Sequence, residues 1–149
     1  MKRTLTIGFT RKSAHRFFNL LRESGARRIV DVRVNNTSQL AAFAKRDDLA
    51  WFLRELCDMD YVHIPDLAPT KELLQAYRTG GIDWPEYETR FLNLMRERRI
   101  EANVPREVIE DGCLLCSEDQ PHHCHRRLVA EYLAARWGDL EVEHLGLKA

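Results

Sequence analysis

The residues best suited to chemistry are concentrated in one short segment, residues 116–126. It brings together sulfur, carboxylate, imidazole and guanidinium groups, on Cys116, Glu118, Cys124, His125 and Arg126. A thiol at a helix N-terminus or beside a cation has a lowered pKa and becomes more nucleophilic. A nearby carboxylate or imidazole can act as general acid or base. The segment therefore predicts thiol chemistry, with Cys116 or Cys124 as nucleophile and Glu118 and His125 as catalytic partners.

The same segment predicts an anion site. Pro121 lies near the start of the predicted last helix, which places Cys124 and the next two residues in or close to its first turns. The free N–H groups and the dipole at a helix N-terminus favour an anion. Arg126 and Arg33 can add bidentate recognition of phosphate. We therefore expect a phosphate-bearing ligand, such as a nucleotide or a nucleic-acid end, held between Arg33 and Arg126.

Metal binding is an alternative interpretation of these residues. Cys116, Cys124 and the nearby histidines offer the donor types that zinc and iron prefer. However, the adjacent Cys124 and His125 diverge by about 100° on a helix. The spacing also differs from the paired Cys-x2-Cys turns of zinc knuckles and ribbons. We assign no metal ligands from the sequence, and the cofactor stays undetermined.

Short apolar runs alternate with helical patterns along the chain. The predicted strands are residues 4–8, 29–32, 61–64, 113–116 and 140–144, the last as a half-exposed edge strand. The helices between them begin near capping residues, which are Thr10 or Ser13 for the first helix, and Thr70 and Asp83 for later ones. Strands separated by helices are typical of a mainly parallel sheet. We predict a single three-layer α/β/α domain over residues 1–149, with about five strands.

Ligands of parallel sheets bind beyond the carboxyl ends of the strands. The residues after the predicted strands are polar or reactive, and they supply the remaining candidates. His63 is a candidate acid–base residue, and the candidate ligand-binding residues are Gly8, Thr10, Asn35 and Asn36. Trp84, beside Pro85, is a candidate for a pocket wall. The interpretation requires that these strand ends share one cleft with the segment 116–126.

The composition is that of an ordinary globular protein. The chain has 149 residues, of which 44% are hydrophobic and 31% charged, so a disordered chain is excluded. Lys+Arg and Asp+Glu both number 23. This zero net charge argues against a protein that coats nucleic acid non-specifically. A non-enzymatic module that binds nucleic acid or protein through residues 35–38 and a basic helix remains an alternative.

The chain contains no signal for membranes or export. No apolar run approaches the roughly 20 residues that cross a bilayer, and the apolar stretch near the N-terminus is too short for a signal peptide. We therefore expect a cytoplasmic protein without a membrane partner. Three of the four cysteines crowd into residues 113–124, which favours free thiols over structural disulfides in such a chain. The oligomeric state is left open.

Four motifs resemble those of the DUF488 family of uncharacterised proteins, and the resemblance covers nearly the whole chain. They are Thr6-Ile7-Gly8, Val30-Asp31-Val32-Arg33, His63-x-Pro65-x-Leu67 and Leu115-Cys116-x-Glu118…Cys124-His125-Arg126. The resemblance implies an α/β fold and a grouping of the functional residues in these motifs, without supplying a reaction.

The chain departs from the usual family motifs at three places. Phe9 and Thr10 replace His-Ser, residues 35–39 replace a Pro-x-Ser-Arg element, and Ala68-Pro69 replaces Gly-Gly. These departures remove a histidine and an arginine from the implied site. They indicate a sub-branch with its own ligand or activity.

Overall fold

The computed structural model describes residues 2–35 and 42–147, and these residues form a five-stranded, all-parallel sheet in the order β3-β2-β4-β1-β5. The strands are β1 (Lys2–Gly8), β2 (Arg28–Asp31), β3 (Asp60–His63), β4 (Gly112–Cys116) and β5 (Leu140–His144). Each predicted strand is confirmed to within two residues at either end. The α/β fold class is also confirmed, with β5 at the predicted edge.

Helices connect the strands in every case. They are α1 (Ala14–Ser24), α2 (Arg46–Phe52), α3 (Lys71–Arg78), α4 (Trp84–Arg98), α5 (Ile100–Asn103), α6 (Arg106–Ile109) and α7 (His125–Trp137). The predicted caps form at α1, α3 and α4, where Ser13, Thr70 and Asp83 accept a backbone N–H from the first turn. No helix in the described ranges is long and apolar enough to cross a membrane.

The helices cover both faces of the sheet and create two apolar cores. Phe17 of α1 and Leu49 of α2 pack on one face, against the side chains of Ile7 and Cys113 among others. Phe91 of α4 and the buried residues of α7 pack on the opposite face. The result is the predicted three-layer arrangement.

The sheet order produces a switch of chain direction beside β4. After β1 and β2 the chain continues toward the β3 edge, whereas after β4 it crosses to β5 at the other edge. Connections that leave neighbouring strands in opposite directions open a crevice at their carboxyl ends. In this protein, that position lies where β2 and β4 end, at Asp31 and Cys116.

Candidate functional site

A cavity of about 450 Å³, here called the strand-end cavity, opens at this position. Its floor is formed by residues that follow β2 and β4, and its walls come from α3, α4 and the start of α7. The residues that line it are Arg33, Val34, Asn35, Lys71, Leu74, Gln75, Tyr77, Arg78, Trp84, Tyr87, Cys116, Ser117, Glu118, His123, Cys124 and His125. The predicted convergence of Arg33 with the start of the last helix is therefore present in the structure.

Cys116 and His125 form a close pair on the floor of the cavity. The Cys116 sulfur lies 3.6 Å from His125 Nδ1, and both residues are about 95% buried. His125 Nε2 lies 2.6 Å from the carbonyl oxygen of Val32. Because a carbonyl can only accept, Nε2 must carry a proton, and Nδ1 is left to take the proton of the thiol. The pair is thus built to form a thiolate and an imidazolium.

Cys124 completes this group as the N-cap residue of α7. A hydrogen bond from the Cys124 thiol is the largest cause that lowers the pKa of Cys116 well below its usual 9.0. Burial opposes this effect, and the positive charge of His125 reinforces it. Burial and the adjacent Cys116 sulfur raise the pKa of Cys124, so the two thiols titrate very differently. Cys116 is the group that loses its proton first.

The imidazole responds to the same contacts. Burial by itself lowers the pKa of His125, but the Cys116 sulfur and the Val32 carbonyl more than offset it and raise the pKa above 6.5. Cys113 lies on the opposite face of β4, as strand alternation predicts, and burial raises its pKa. The two cysteines of β4 therefore differ sharply in expected reactivity.

The loop of residues 117–123, between β4 and α7, is held by side chains and backbone from outside it. The fully buried Arg126 donates from Nη1 to the carbonyl of Glu118 at 2.6 Å and from Nη2 to the carbonyl of Asp119 at 3.2 Å. The N–H of Thr10 donates to the carbonyl of Ser117 at 3.0 Å. Arg126, a predicted anion ligand, thus lies outside the cavity lining of the described chain and supports the loop instead.

Gly8 lets this loop approach the end of β1. A Cβ at residue 8 would lie 1.5 Å from the carbonyl oxygen of Glu118 and 3.1 Å from Arg126 Nη1. The space above Gly8 is therefore filled by the loop itself. Of the two β1 candidates for ligand binding, Gly8 is buried beneath the loop, and Thr10 is an exposed residue that reaches the loop through its backbone.

A buried ion pair that the sequence analysis missed holds the same loop. Lys12 Nζ lies 2.6 Å from Asp119 Oδ1, and the Lys12 side chain is only 1% exposed. Lys12 stands in a polar stretch after β1 and carries no sequence signal that distinguishes it from a surface lysine. Its burial depends on the loop folding over it.

Arg33 supplies the buried cation of the cavity. Its Nε and Nη2 donate to the carboxylate of Asp31 at 2.9 and 2.8 Å, and the hydroxyl of Tyr61 donates to the same carboxylate. The Arg33 guanidinium lies 5.4 Å from the ring centre of Phe9, the residue that replaces the histidine usual in the resembled family. Arg33 Nη1 is buried and has no hydrogen-bond partner among the described residues.

An aromatic stack forms one wall of the cavity. The ring of Trp84 lies 4.8 Å from that of His123 and 5.2 Å from that of Tyr87, nearly parallel to both. Helix α3, whose Tyr77 ring lies 5.6 Å from that of Trp84, adds the exposed Lys71, Gln75 and Arg78 to the lining. Trp84 is a predicted wall residue, whereas these α3 residues are not among the predicted site residues, although the helix itself is predicted. The spacing of these three residues, which places them on one helix face, was the signal available.

Of the other predicted residues, some line the strand-end cavity and others do not. Glu118 and Asn35 are exposed and line the cavity. His63, half-buried at the end of β3, lies outside the lining in the described chain; its Nε2 is 3.0 Å from the carbonyl of Arg33. Asn36 is outside the described residues, as are Thr37 and Ser38.

Three donor atoms in the cavity could hold a metal ion. The sulfurs of Cys116 and Cys124 and a ring nitrogen of His125 lie within 4.8 Å of one another. Two sulfurs and one imidazole are a donor set that zinc accepts. Arg126 Nη1, however, lies 3.3 Å from the Cys124 sulfur and places a positive charge beside any metal bound there.

Comparison with known proteins gives one match. Residues 13–133 match the model of a family described as a domain of unknown function, DUF488. No curated protein and no solved structure matches the chain. The matched region includes Arg33, the loop after β4 and the start of α7, but it begins after β1. Since the match covers most of the chain, the protein belongs to the DUF488 family.

Proposed function

We propose that the protein is a thiol-dependent enzyme that binds a phosphate-bearing ligand, such as a nucleotide or a nucleic-acid end, in the strand-end cavity. The observation that carries this proposal is that one cavity is lined both by the Cys116–His125 pair and by Arg33, whose buried Nη1 has no hydrogen-bond partner among the described residues. A nucleophile and a guanidinium with one unsatisfied donor in the same pocket suit an anionic, electrophilic substrate.

The charge of the cavity favours an anion. Arg33 Nη1 is buried and has no partner within residues 2–35 and 42–147, which is costly unless a ligand accepts its hydrogen bond. Lys71 and Arg78 lie at the exposed side of the same cavity, where they attract a ligand that carries more than one negative charge. Because the chain has no net charge, this attraction is local rather than global.

The aromatic stack adds an apolar wall beside these cations. A nucleotide carries both an aromatic base and a phosphate, and the cavity offers surfaces for both, the Trp84–His123 stack and the cationic side chains. A volume of about 450 Å³ lies within the range of small-molecule sites. These features favour a nucleotide over a bare inorganic anion.

The chemical step that we propose begins with proton transfer from Cys116 to His125 Nδ1. The thiolate then attacks an electrophilic carbon or phosphorus of the bound ligand, and a bond to sulfur forms. The leaving group departs with its bonding electron pair and takes the proton held by His125. Water then gives a proton to Glu118 at the cavity mouth and bonds through its oxygen to the electrophilic atom, while the bond to sulfur breaks. The sulfur leaves with the bonding electron pair, and the proton released by Glu118 restores the thiol. His63, Arg126, Gly8 and Thr10 act as positioning residues.

Alkylation kinetics at neutral pH test the proposal. We expect iodoacetamide to modify Cys116 at least tenfold faster than a model thiol, because its lowered pKa makes it a thiolate. Iodoacetate, which is anionic, should alkylate Cys116 faster than iodoacetamide does, relative to the model thiol. The double variant Lys71→Ala/Arg78→Ala should abolish this preference for the anionic reagent. Inorganic phosphate or a nucleoside monophosphate should protect Cys116. Cys113→Ser is the matched control, and it should leave the rates unchanged.

Two outcomes contradict the proposal. If Cys116 is alkylated no faster than a model thiol, it is excluded as the activated nucleophile. If Cys116 is alkylated rapidly, but neither ligand slows the reaction and iodoacetate is not preferred, then the cavity does not bind a phosphate-bearing ligand. Only the reactive thiol is then supported.

Metal binding is the second candidate function, since the three donor atoms lie within 4.8 Å of one another. Elemental analysis of protein purified without a histidine tag or chelator decides between the two. About one equivalent of zinc or iron, lost in Cys116→Ser, supports the metal site. Substoichiometric metal together with rapid alkylation supports the thiol enzyme.

A further inference from the structure

The chemistry proposed above uses Cys116 and gives Cys124 no step of its own. Yet the two sulfurs lie within 4.8 Å of each other, both thiols are free, and both line the strand-end cavity. A second thiol next to a reactive cysteine is the arrangement that converts a sulfenic acid into a disulfide before further oxidation. The pair therefore has the geometry for a redox reaction as well.

We propose that Cys116 and Cys124 form a reversible disulfide when a hydroperoxide reaches the cavity, and that this oxidation inactivates the site. The inference rests on the nucleophilic Cys116 of the proposed function. It adds a class of reactant, the hydroperoxides, and a mode of regulation.

The reaction balances in two steps. The Cys116 thiolate attacks the near oxygen of the hydroperoxide, so that the O–O bond breaks, Cys116 becomes a sulfenic acid, and an alkoxide or hydroxide leaves. The Cys124 sulfur then attacks the Cys116 sulfur. The S–S bond forms, the S–O bond breaks, and the hydroxyl leaves as water with the proton of the Cys124 thiol. A dithiol such as dithiothreitol supplies the two electrons that reverse the reaction.

The surroundings of Cys124 suit the second step. Arg126 Nη1 donates to the Cys124 sulfur at 3.3 Å, and this contact stabilises the thiolate as its proton leaves. The negative charge of Cys116 is one of the causes that raise the pKa of Cys124. That charge disappears when Cys116 becomes a neutral sulfenic acid, so the first step prepares Cys124 for the second.

The other two cysteines are excluded from this reaction by position. Cys113 is fully buried on the opposite face of β4. Cys57 ends the segment after α2 and donates from its sulfur to the carbonyl of Phe18 at 3.8 Å. Both should remain thiols under mild oxidation, and they serve as internal controls.

The test treats the whole protein with about one equivalent of hydrogen peroxide, then unfolds it, labels free thiols with N-ethylmaleimide and measures mass. We expect two of the four thiols to escape labelling, a peptide that links Cys116 to Cys124, and a loss of about 2 Da before labelling. Dithiothreitol should restore all four. Cys124→Ser, whose hydroxyl can still donate to Cys116, should give no link; Cys116 should stop at the sulfenic acid with one equivalent of peroxide and reach the sulfinic acid with a second. Cys113→Ser should behave as the wild type.

The outcomes separate this inference from the proposed function. If Cys116 alkylates rapidly but all four thiols survive peroxide, the redox inference is wrong and the thiol enzyme stands. If the link forms although Cys116 alkylates no faster than a model thiol, the redox pair stands and the enzyme proposal fails. A link that involves Cys57 or Cys113 overturns the inference even if the Cys124→Ser variant does not fold.

Discussion

His125 uses both ring nitrogens, and this double use makes its role testable. Nε2 is committed to the Val32 carbonyl at 2.6 Å, so the ring cannot turn away from Cys116 without leaving that acceptor unpaired. The imidazole is therefore a fixed proton acceptor for one thiol. In a glutamine at this position, the side-chain amide can donate to Val32 but cannot hold a positive charge.

His125→Gln should raise the pKa of Cys116 toward its usual 9.0, although the hydrogen bond from Cys124 remains. In the wild type, the alkylation rate should stay near its plateau as the pH falls from 9 to 7, because the lowered pKa keeps the thiolate populated. In the variant the rate should fall about tenfold for each pH unit below the raised pKa. Stopped-time alkylation followed by mass spectrometry measures both profiles. His123→Gln, on the exposed side of the stack, is the control; equal profiles for all three proteins would refute the pairing.

Arg33 and Asp31 form a buried pair whose partners depend on each other. Asp31 is fully buried, and Arg33→Gln leaves its carboxylate without a compensating charge. In the described part of the chain, it keeps only the Tyr61 hydroxyl and the backbone N–H of residue 33 as donors. We expect a loss of about 3–5 kcal/mol in the free energy of unfolding. The double variant Asp31→Asn/Arg33→Gln removes both charges, and its loss in the free energy of unfolding should be clearly smaller. Urea unfolding measures the two losses, and a double variant no more stable than the single one would contradict the argument.

The loop after β4 is the element on which the site depends most. Its backbone carbonyls accept hydrogen bonds from Thr10 and Lys12, which both follow β1, and from Arg126 of α7. Gly8 provides the space for it. Displacing this loop should therefore disturb Cys116 even though no loop side chain is changed.

Gly8→Ala tests this dependence, because its Cβ would overlap the Glu118 carbonyl, which is backbone and must move. We expect a loss of about 3 kcal/mol in the free energy of unfolding and a slower alkylation of Cys116. Gly80→Ala is the matched control, since a Cβ there meets nothing within 4 Å and only the positive φ costs about 1 kcal/mol. Thermal unfolding and alkylation rates provide the readouts. Similar effects of the two variants would argue against a close approach at Gly8.

The elements themselves were largely predictable, and the contacts of the site were not. Ser13, Thr70 and Asp83 cap their helices as expected because N-capping depends on local sequence. The wider π-helical turn at Leu53–Cys57, and the short helix α5, carry no comparable signal. Strand ends identified the region of the site, but they did not show that Arg126 supports the loop while Arg33 faces the cavity. That division depends on how the loop folds over β1.

The two apolar cores lie on opposite faces of the sheet, and among the described residues only the core around Phe91 packs against the Cys116–His125 pair. Phe91 and Phe17 are both fully buried, on opposite faces of the sheet. The ring of Phe91 lies 5.5 Å from that of His125, whereas the ring of Phe17 lies 5.1 Å from that of Phe18 and 5.3 Å from that of Phe43. Equal changes in the two cores should therefore have equal effects on stability and unequal effects on chemistry.

Phe91→Leu and Phe17→Leu should each lower the free energy of unfolding by about 1–2 kcal/mol. Only Phe91→Leu should slow the alkylation of Cys116, because it loosens the packing of His125. Both variants are compared by urea unfolding and by alkylation at a temperature where each is fully folded. A slower reaction in Phe17→Leu of the same size would mean that stability alone, and not contact with His125, controls the thiol.

The contacts that hold residues 117–119 end mainly on carbonyl oxygens, which every amino acid possesses. Ser117 and Glu118 can therefore be exchanged for other residue types while the path of the backbone is retained. Selection, or a designer, can alter the chemical preference of the cavity mouth at these two positions without rebuilding the scaffold beneath it. A collection of variants randomised at 117 and 118 should accordingly yield mostly folded proteins that differ in the ligands they prefer, and those without a carboxylate at 118 should lose the proposed general base.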